Sequence, residues 1–173
     1  MPDDRNKLDR VSIRLKGFEY SSAASYFITI CTQNRQCLLG EIESGVMIVN
    51  SAGQMIVDEW LAIRSRFTSV QLEAFVVMPN HFHGIISILP VEEGSVVGVA
   101  DGGVPTRGTP TLGEMIGAFK SITTNRYISG VKYQNWTPFD RRLWQRNYYE
   151  HIIMTDRSFD ILQSYIQNNP LDR

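Results

Sequence analysis

Two histidines stand two residues apart in the stretch "VVMPNHFHGIISI" (Val76 to Ile88), inside an otherwise apolar run. Burying an imidazole among Val, Ile and Phe is costly unless its ring nitrogens are satisfied. On a β-strand, side chains alternate between the two faces, so His81 and His83 point one way and Phe82 the other. Two imidazoles so placed can share one ligand. The chain holds only 3 histidines, so the pair does not arise from a histidine-rich composition. Near the C-terminus, "SYIQNNP" places Tyr165 and Asn169 four residues apart, which on a helix sets them on one face, a turn from each other. Ile161 lies four residues before Tyr165, and Leu162 and Ile166 form the adjoining apolar stripe. Taken singly, Tyr165 reads as a core aromatic on that stripe, and Asn169 as a polar helix-end residue before Pro170. Only their combination with the histidines carries weight.

Period and punctuation outline the elements that must position these residues. "SYFITICTQ" (Ser25 to Gln33) alternates and is rich in β-formers, which predicts a strand. Gly40 to Asn50 predicts a short strand or hairpin arm around a Ser44-Gly45 turn. In "NSAGQMIVDEWLAIRSRF", Met55, Ile56, Trp60, Ile63 and Phe67 fall at helical spacing. Val70 to Met78 predicts a strand, Pro79-Asn80 a turn, and "HFHGIISIL" an antiparallel neighbour. Thr111 and Glu114 form a capping-box signature before a helix through "LGEMIGAFKSITTNRYI". Leu143 to Met154 predicts a further strand, and Asp156 opens a last helix that Pro170 stops. The order β-β-α-β-β-α-β-α predicts an α+β fold with helices packed on one antiparallel sheet.

The whole chain, residues 1–173, reads as a single domain with enough mass for a sizeable core. Residues 1–16 form a polar N-terminal arm. Residues 90–110 are dense in glycine and proline, and predict a functional loop or a disordered segment. With 43% hydrophobic and 20% charged residues, the composition favours neither disorder nor a membrane protein. No run approaches the roughly 18 apolar residues of a spanning helix, and the charged start lacks a secretory core. The expected location is therefore cytoplasmic, with Cys31 and Cys37 as free thiols. The net charge of −1 argues against a protein that coats nucleic acid unspecifically. From Thr106 onward, however, nine basic residues face six acidic ones, a local excess suited to holding a phosphate chain.

Four blocks in order, "MPNHFHGII", "GAFKSITTNRYI", "LWQRNYYEHII" and "YIQNNP", resemble the REP-associated tyrosine transposases. These are relatives of the single-tyrosine insertion-sequence transposases within the wider HUH single-strand endonucleases. The likeness runs from about Gly17 to Pro170. It implies a ferredoxin-like split β-α-β core with a central antiparallel sheet. It implies that His81 and His83 bind a divalent metal, Mg²⁺ or Mn²⁺, with Asn169 as third ligand. Tyr165 would be the nucleophile that attacks a DNA phosphate and stays linked to the 5′ end. The implied partner is single-stranded or hairpin DNA, such as repeats flanking the gene itself, and relatives occur both as homodimers and as monomers.

The chemistry of these residue types agrees with those roles. Three neutral ligands leave coordination positions open, and imidazole with amide oxygen suits Mg²⁺ or Mn²⁺ better than a closed zinc site. A phenol with pKa about 10 is a weak nucleophile until it loses its proton. A phosphotyrosine keeps the bond energy, so a DNA 3′-OH can later reverse the attack without ATP. His151, in "YYEHII", can support the site or serve as general base. Lys120, Arg126, Arg142 and Arg146 are candidates for phosphate contacts, although each is individually more often a solvated charge. Phe119, Trp144, Tyr148 and Tyr149 can stack on bases or fill the core. The rival reading is a domesticated sequence- or hairpin-specific DNA-binding protein without cleavage activity. Binding alone needs neither the histidine pair nor Tyr165 and Asn169.

Overall fold

The computed structural model describes residues 24–90 and 110–169. The expected N-terminal arm and residues 91–109 of the glycine-rich loop lie outside the described residues. The elements are β1 (Ala24–Cys31), a 3-10 turn (Gln33–Arg35), β2 (Gly40–Glu43), β3 (Val46–Val49), α1 (Ser51–Leu61) and α2 (Ile63–Arg66). They continue with β4 (Val70–Met78), β5 (His81–Ile88), α3 (Leu112–Tyr133), β6 (Tyr149–Ile153) and α4 (Asp156–Asn168). Four strands form one antiparallel sheet in the order β4-β5-β1-β6, and β2 pairs with β3 in a separate ribbon. With the ribbon set aside, β1-α1-β4-β5-α3-β6 is the ferredoxin-like split β-α-β arrangement. Among the described residues, no helix is long and apolar enough to cross a membrane.

Local chemistry starts each helix. Asn50 caps α1 by accepting from Gly53 N at 2.8 Å. Thr111 and Glu114 form the expected capping box on α3, and Thr155 caps α4. Ser44 and Gly45 both have positive φ, the conformation a two-residue hairpin turn needs.

The period-two alternation of β1 and β5 splits the sheet into two environments. Tyr26, Ile28, Ile30, Phe82 and Ile86 join α1 and α3 in the main core. At its centre, Trp60 lies 4.7 Å from Phe82 and 5.7 Å from Phe119, centroid to centroid. Gly84 permits this approach, because a Cβ there would stand 2.7 Å from the Trp60 ring. On the opposite face, Phe27 and Ile85 receive Ile166 of α4, flanked by Phe159 and Leu162. The stripe of α4 that docks is therefore the Leu162–Ile166 side. Ile161 is exposed and Tyr165 is 41% exposed, so Tyr165 is not the core aromatic that it would be if read singly.

The expected strand from Leu143 to Met154 is shorter, forming only between Tyr149 and Ile153. Leu143 and Trp144 are buried, and Trp144 touches β1 through a single bridge to Thr32. The carbonyls of Gln145 and Arg146 both accept from Lys120 Nζ, at 2.7 and 3.0 Å. Carbonyls held by a side chain on α3 are withdrawn from a ladder with β1, so past that one bridge the continuous ladder begins only where Tyr149 meets Thr29.

Glu59 of α1 is a buried acid between Arg66 and Arg126. Burial raises its pKa, but hydrogen bonds from Arg126 and Arg66, with their charges, outweigh that and hold it below the usual value of 4.5. The group therefore stabilises the fold above its unfolded pKa, and this contribution is lost as pH falls through the lower, folded one. Glu59→Gln is predicted to cost about 1–3 kcal/mol at neutral pH, since both arginines are partly exposed and can rehydrate. Urea midpoints measured across pH check this: the gap to wild type should shrink below about pH 4.5. A gap that is constant with pH would contradict the ion-pair account.

Candidate functional site

The antiparallel register brings the histidines to one edge of a cleft. Met78 pairs with His81 across the Pro79-Asn80 turn, and on the other side β5 sets His83 opposite Thr29 and His81 opposite Cys31. All these side chains share the face covered by α4. His81 and His83 are 9% and 7% exposed, with ring centroids 4.6 Å apart and planes at 78°. The Tyr165 ring comes to 5.5 Å from His83 and 6.3 Å from Phe27, both edge-on. A cleft of about 280 Å³ is lined by Thr29, Cys31, Arg35, His81, His83, Tyr165 and Asn169.

Asn169 enters this cleft because the helix ends there. Its backbone is extended (φ −74°, ψ 126°) while its N–H still bonds Tyr165 O at 3.1 Å. Pro170 follows in the sequence, and a proline disfavours helical geometry in the residue before it.

Hydrogen bonds orient both imidazoles. Asn80 Nδ2 donates to Arg35 O at 3.3 Å, which turns Asn80 Oδ1 toward His81 Nδ1 at 2.7 Å. An amide oxygen only accepts, so His81 Nδ1 carries a proton, and in the neutral ring Nε2 holds the lone pair. His83 Nδ1 lies 2.8 Å from Thr29 Oγ1. Burial, and then the neighbouring His81, push His83 down to about 4 against the raising effect of a hydrogen bond with the Ile28 backbone. It is therefore neutral at neutral pH, with a lone pair to offer. The turn itself is bolted down: Thr32 bonds Asn80 O through both N and Oγ1, while Leu38 N and Leu39 N bond Pro79 O.

Not every candidate from the sequence arrives here. His151 is exposed on edge strand β6, opposite Phe27, and does not line the cleft. Lys120 is drawn down by burial and bonded to the Gln145 and Arg146 carbonyls. Arg126 pairs with Glu59. Both lie on α3, across the sheet from the histidines, so neither is offered to a phosphate in this cleft. Arg142 and Arg146 are exposed on the segment beside the end of β1, where Gln145 N bonds Cys31 O at 2.9 Å. Phe119 and Trp144 are core residues, whereas Tyr149 is 50% exposed. Cys31 and Cys37 are free thiols. Thr29, Arg35 and Asn80 were not singled out from the sequence. Asn80, next to His81, had a signal in its position; Thr29 and Arg35 depend on register.

No family model matches the chain. It is 40% identical over 166 residues to an uncharacterized protein of Haemophilus influenzae, covering 94% of this chain and 88% of that one. Among solved structures it is similar to a REP-associated tyrosine transposase bound to a REP hairpin, with a TM-score of 0.56 and 18% identity. That match covers 92% of this chain and 73% of the other. It is also similar to a transposase candidate from Deinococcus radiodurans, with a TM-score of 0.51 and 18% identity over 90% of this chain and 95% of the other.

Proposed function

We propose, for a chain that belongs to the same family as the Haemophilus influenzae protein and has the fold of the REP-associated tyrosine transposases, that it is a DNA-processing enzyme. In this reading it is a metal-dependent single-strand endonuclease and strand transferase that works through Tyr165. One observation carries the reading: β5 and the end of α4, some eighty residues apart in sequence, bring His81, His83, Tyr165 and Asn169 to one cleft. The solved relative's REP hairpin supports structured single-stranded DNA as the substrate class.

The donor set fits a hard or borderline divalent cation. His81 and His83 would hold it through neutral imidazole nitrogens and Asn169 through its amide oxygen. Mg²⁺ or Mn²⁺ with water in the remaining positions suits such ligands. When bound, the cation supplies Lewis-acid polarisation of the scissile phosphate.

The chain's own part is nucleophilic. The Tyr165 hydroxyl loses its proton to solvent, and the phenolate oxygen attacks phosphorus. A Tyr Oη–P bond forms as the P–O3′ bond breaks, and the departing 3′ oxygen takes up a proton. The phosphoryl group and its 5′ strand stay on the protein until a DNA 3′-OH reverses the step. The open side of the cleft leaves Tyr165 accessible to a strand, while its ring edge on His83 and Phe27 holds its direction. The test is incubation with labelled single-stranded hairpins from the gene's flanks with Mg²⁺ or Mn²⁺. Cut strand and a denaturant-resistant adduct are expected. Tight binding with neither product would favour the rival reading of a binding protein.

Asn80 gives a prediction specific to this reading. By holding His81 in one tautomer it keeps Nε2 free of a proton, and loss of such a support typically weakens metal affinity about 10–100-fold. Asn80→Ala should weaken Mn²⁺ binding by that factor in a titration followed by electron paramagnetic resonance. Unchanged Mn²⁺ affinity would sink the tautomer argument.

A further inference from the structure

Among the described residues, Arg35 is the one permanently charged side chain lining the cleft, and no carboxylate lines it. No hydrogen bond or ion pair to a described residue holds its guanidinium. A guanidinium that no described carboxylate pairs, on the wall of an open cleft, makes this a place for an anion.

The backbone beneath it adds a second observation. Asn34 and Arg35 both adopt left-handed φ, 56° and 52°. Such values are costly for residues with a Cβ, and glycine would adopt them freely. The conformation is imposed from outside: Arg35 N bonds Thr32 O at 3.1 Å, Asn80 Nδ2 bonds Arg35 O, and Gln33 N bonds Leu143 O at 2.8 Å. A plain turn would need no long cationic side chain at its tightest point. Strain kept at the rim of a cleft, and fastened through the same Asn80 that orients His81, points to a working role for the side chain. Arg142 and Arg146 flank the same end of the sheet, because the segment carrying them runs beside Cys31 and Gln33.

We propose that Arg35 is the phosphate-binding arm of this cleft: its guanidinium takes the non-bridging oxygens of a single-stranded DNA phosphate lying over His81 and His83. The planar fork of donors matches two phosphate oxygens. The inference rests on the DNA-cleaving reading but can fail separately from it. Placed there, the arm holds the phosphate in line with Tyr165 and offsets charge gathering on its oxygens.

The experiment uses the full chain as wild type, Arg35→Gly and Arg35→Lys. Glycine accepts the backbone conformation, so Arg35→Gly should keep or raise the urea midpoint. Binding of a fluorescent oligothymidylate strand is measured across salt concentrations, and single-turnover cleavage on hairpin strands from the gene's flanks. For Arg35→Gly, the salt slope should fall by about 0.7, the value of one single-strand phosphate contact. Its cleavage should fall about 10²–10³-fold, partly restored in Arg35→Lys and, for Arg35→Gly, by added guanidinium ion. A wild-type slope with wild-type cleavage in Arg35→Gly overturns the proposal, as does a wild-type protein that binds no strand. Slower cleavage with an unchanged slope and no guanidinium rescue makes Arg35 structural, and also overturns it. If the slope falls but no strand is cut even by wild type, Arg35 stands as a phosphate site and the nuclease reading fails.

Discussion

Tyr165→Phe is expected to bind hairpin DNA as wild type does and to cut none of it, with a loss of at least about 10³-fold in single-turnover cleavage. The substitution removes one oxygen from a side chain that is 41% exposed and keeps the ring edge against His83 and Phe27. Stability should move by less than about 0.5 kcal/mol, as surface changes usually do. The denaturant-resistant adduct with the 5′ end of the cut strand should disappear with it. Among the described residues, the other tyrosine facing this side of the sheet is Tyr149, which pairs with Thr29, itself paired with His83. That puts Tyr149 two strand spacings, roughly 9–10 Å, from His83, against the 5.5 Å ring separation of Tyr165. A Tyr165→Phe protein that still formed the adduct would falsify the assignment and make Tyr149 the next residue to test.

The second large effect concerns the histidines. His81→Ala and His83→Ala should each lower cleavage by about 10³-fold or more and abolish saturable Mn²⁺ binding, because either change leaves too few ligands to hold the ion. The two differ in what they cost the fold. His83 is buried, stacks on Phe27 at 5.3 Å and meets Thr29 Oγ1. Its removal takes a hydrogen-bond partner from the partly buried Thr29 hydroxyl and opens a void beside Phe27, at about 1–3 kcal/mol. His81 sits at the strand end beside the Asn80 turn, so its loss should cost less. Urea unfolding separates this structural share from the catalytic one, since both variants should remain folded at working temperature. Undiminished cleavage by wild type in excess chelator would remove the metal from the account altogether.

Much of the architecture was legible because it is written in local patterns. The bounds of the fourth strand, the capping box on α3 and the Ser44-Gly45 turn follow from alternation, side-chain capping and positive φ. Each is settled within a few residues of chain. The strand around Tyr149 was overextended for the opposite reason. Its alternating residues look like a strand from Leu143 onward, but Lys120, 25 residues from Gln145, holds the carbonyls that a ladder would use. Lys120 and Arg126 likewise read as candidate phosphate contacts, since a cation's partner is invisible until the chain has folded around it.

By itself, then, the sequence determined the site's chemistry: two same-face imidazoles, a tyrosine and an asparagine a helical turn apart, and a proline that ends the helix at Asn169. Tertiary structure decided which polar atoms meet. Thr29 lies 54 residues from His83, and Arg126 lies 67 from Glu59; the first contact follows from β1–β5 register and the second from the packing of α3 on α1. The left-handed turn that sends Arg35 into the cleft was likewise absent from any local pattern. Its conformation is imposed by Thr32 and Asn80, and the Asn80 contact joins residues 45 positions apart. Period and capping are properties of neighbours along the chain, and register and ion pairing are properties of neighbours in space.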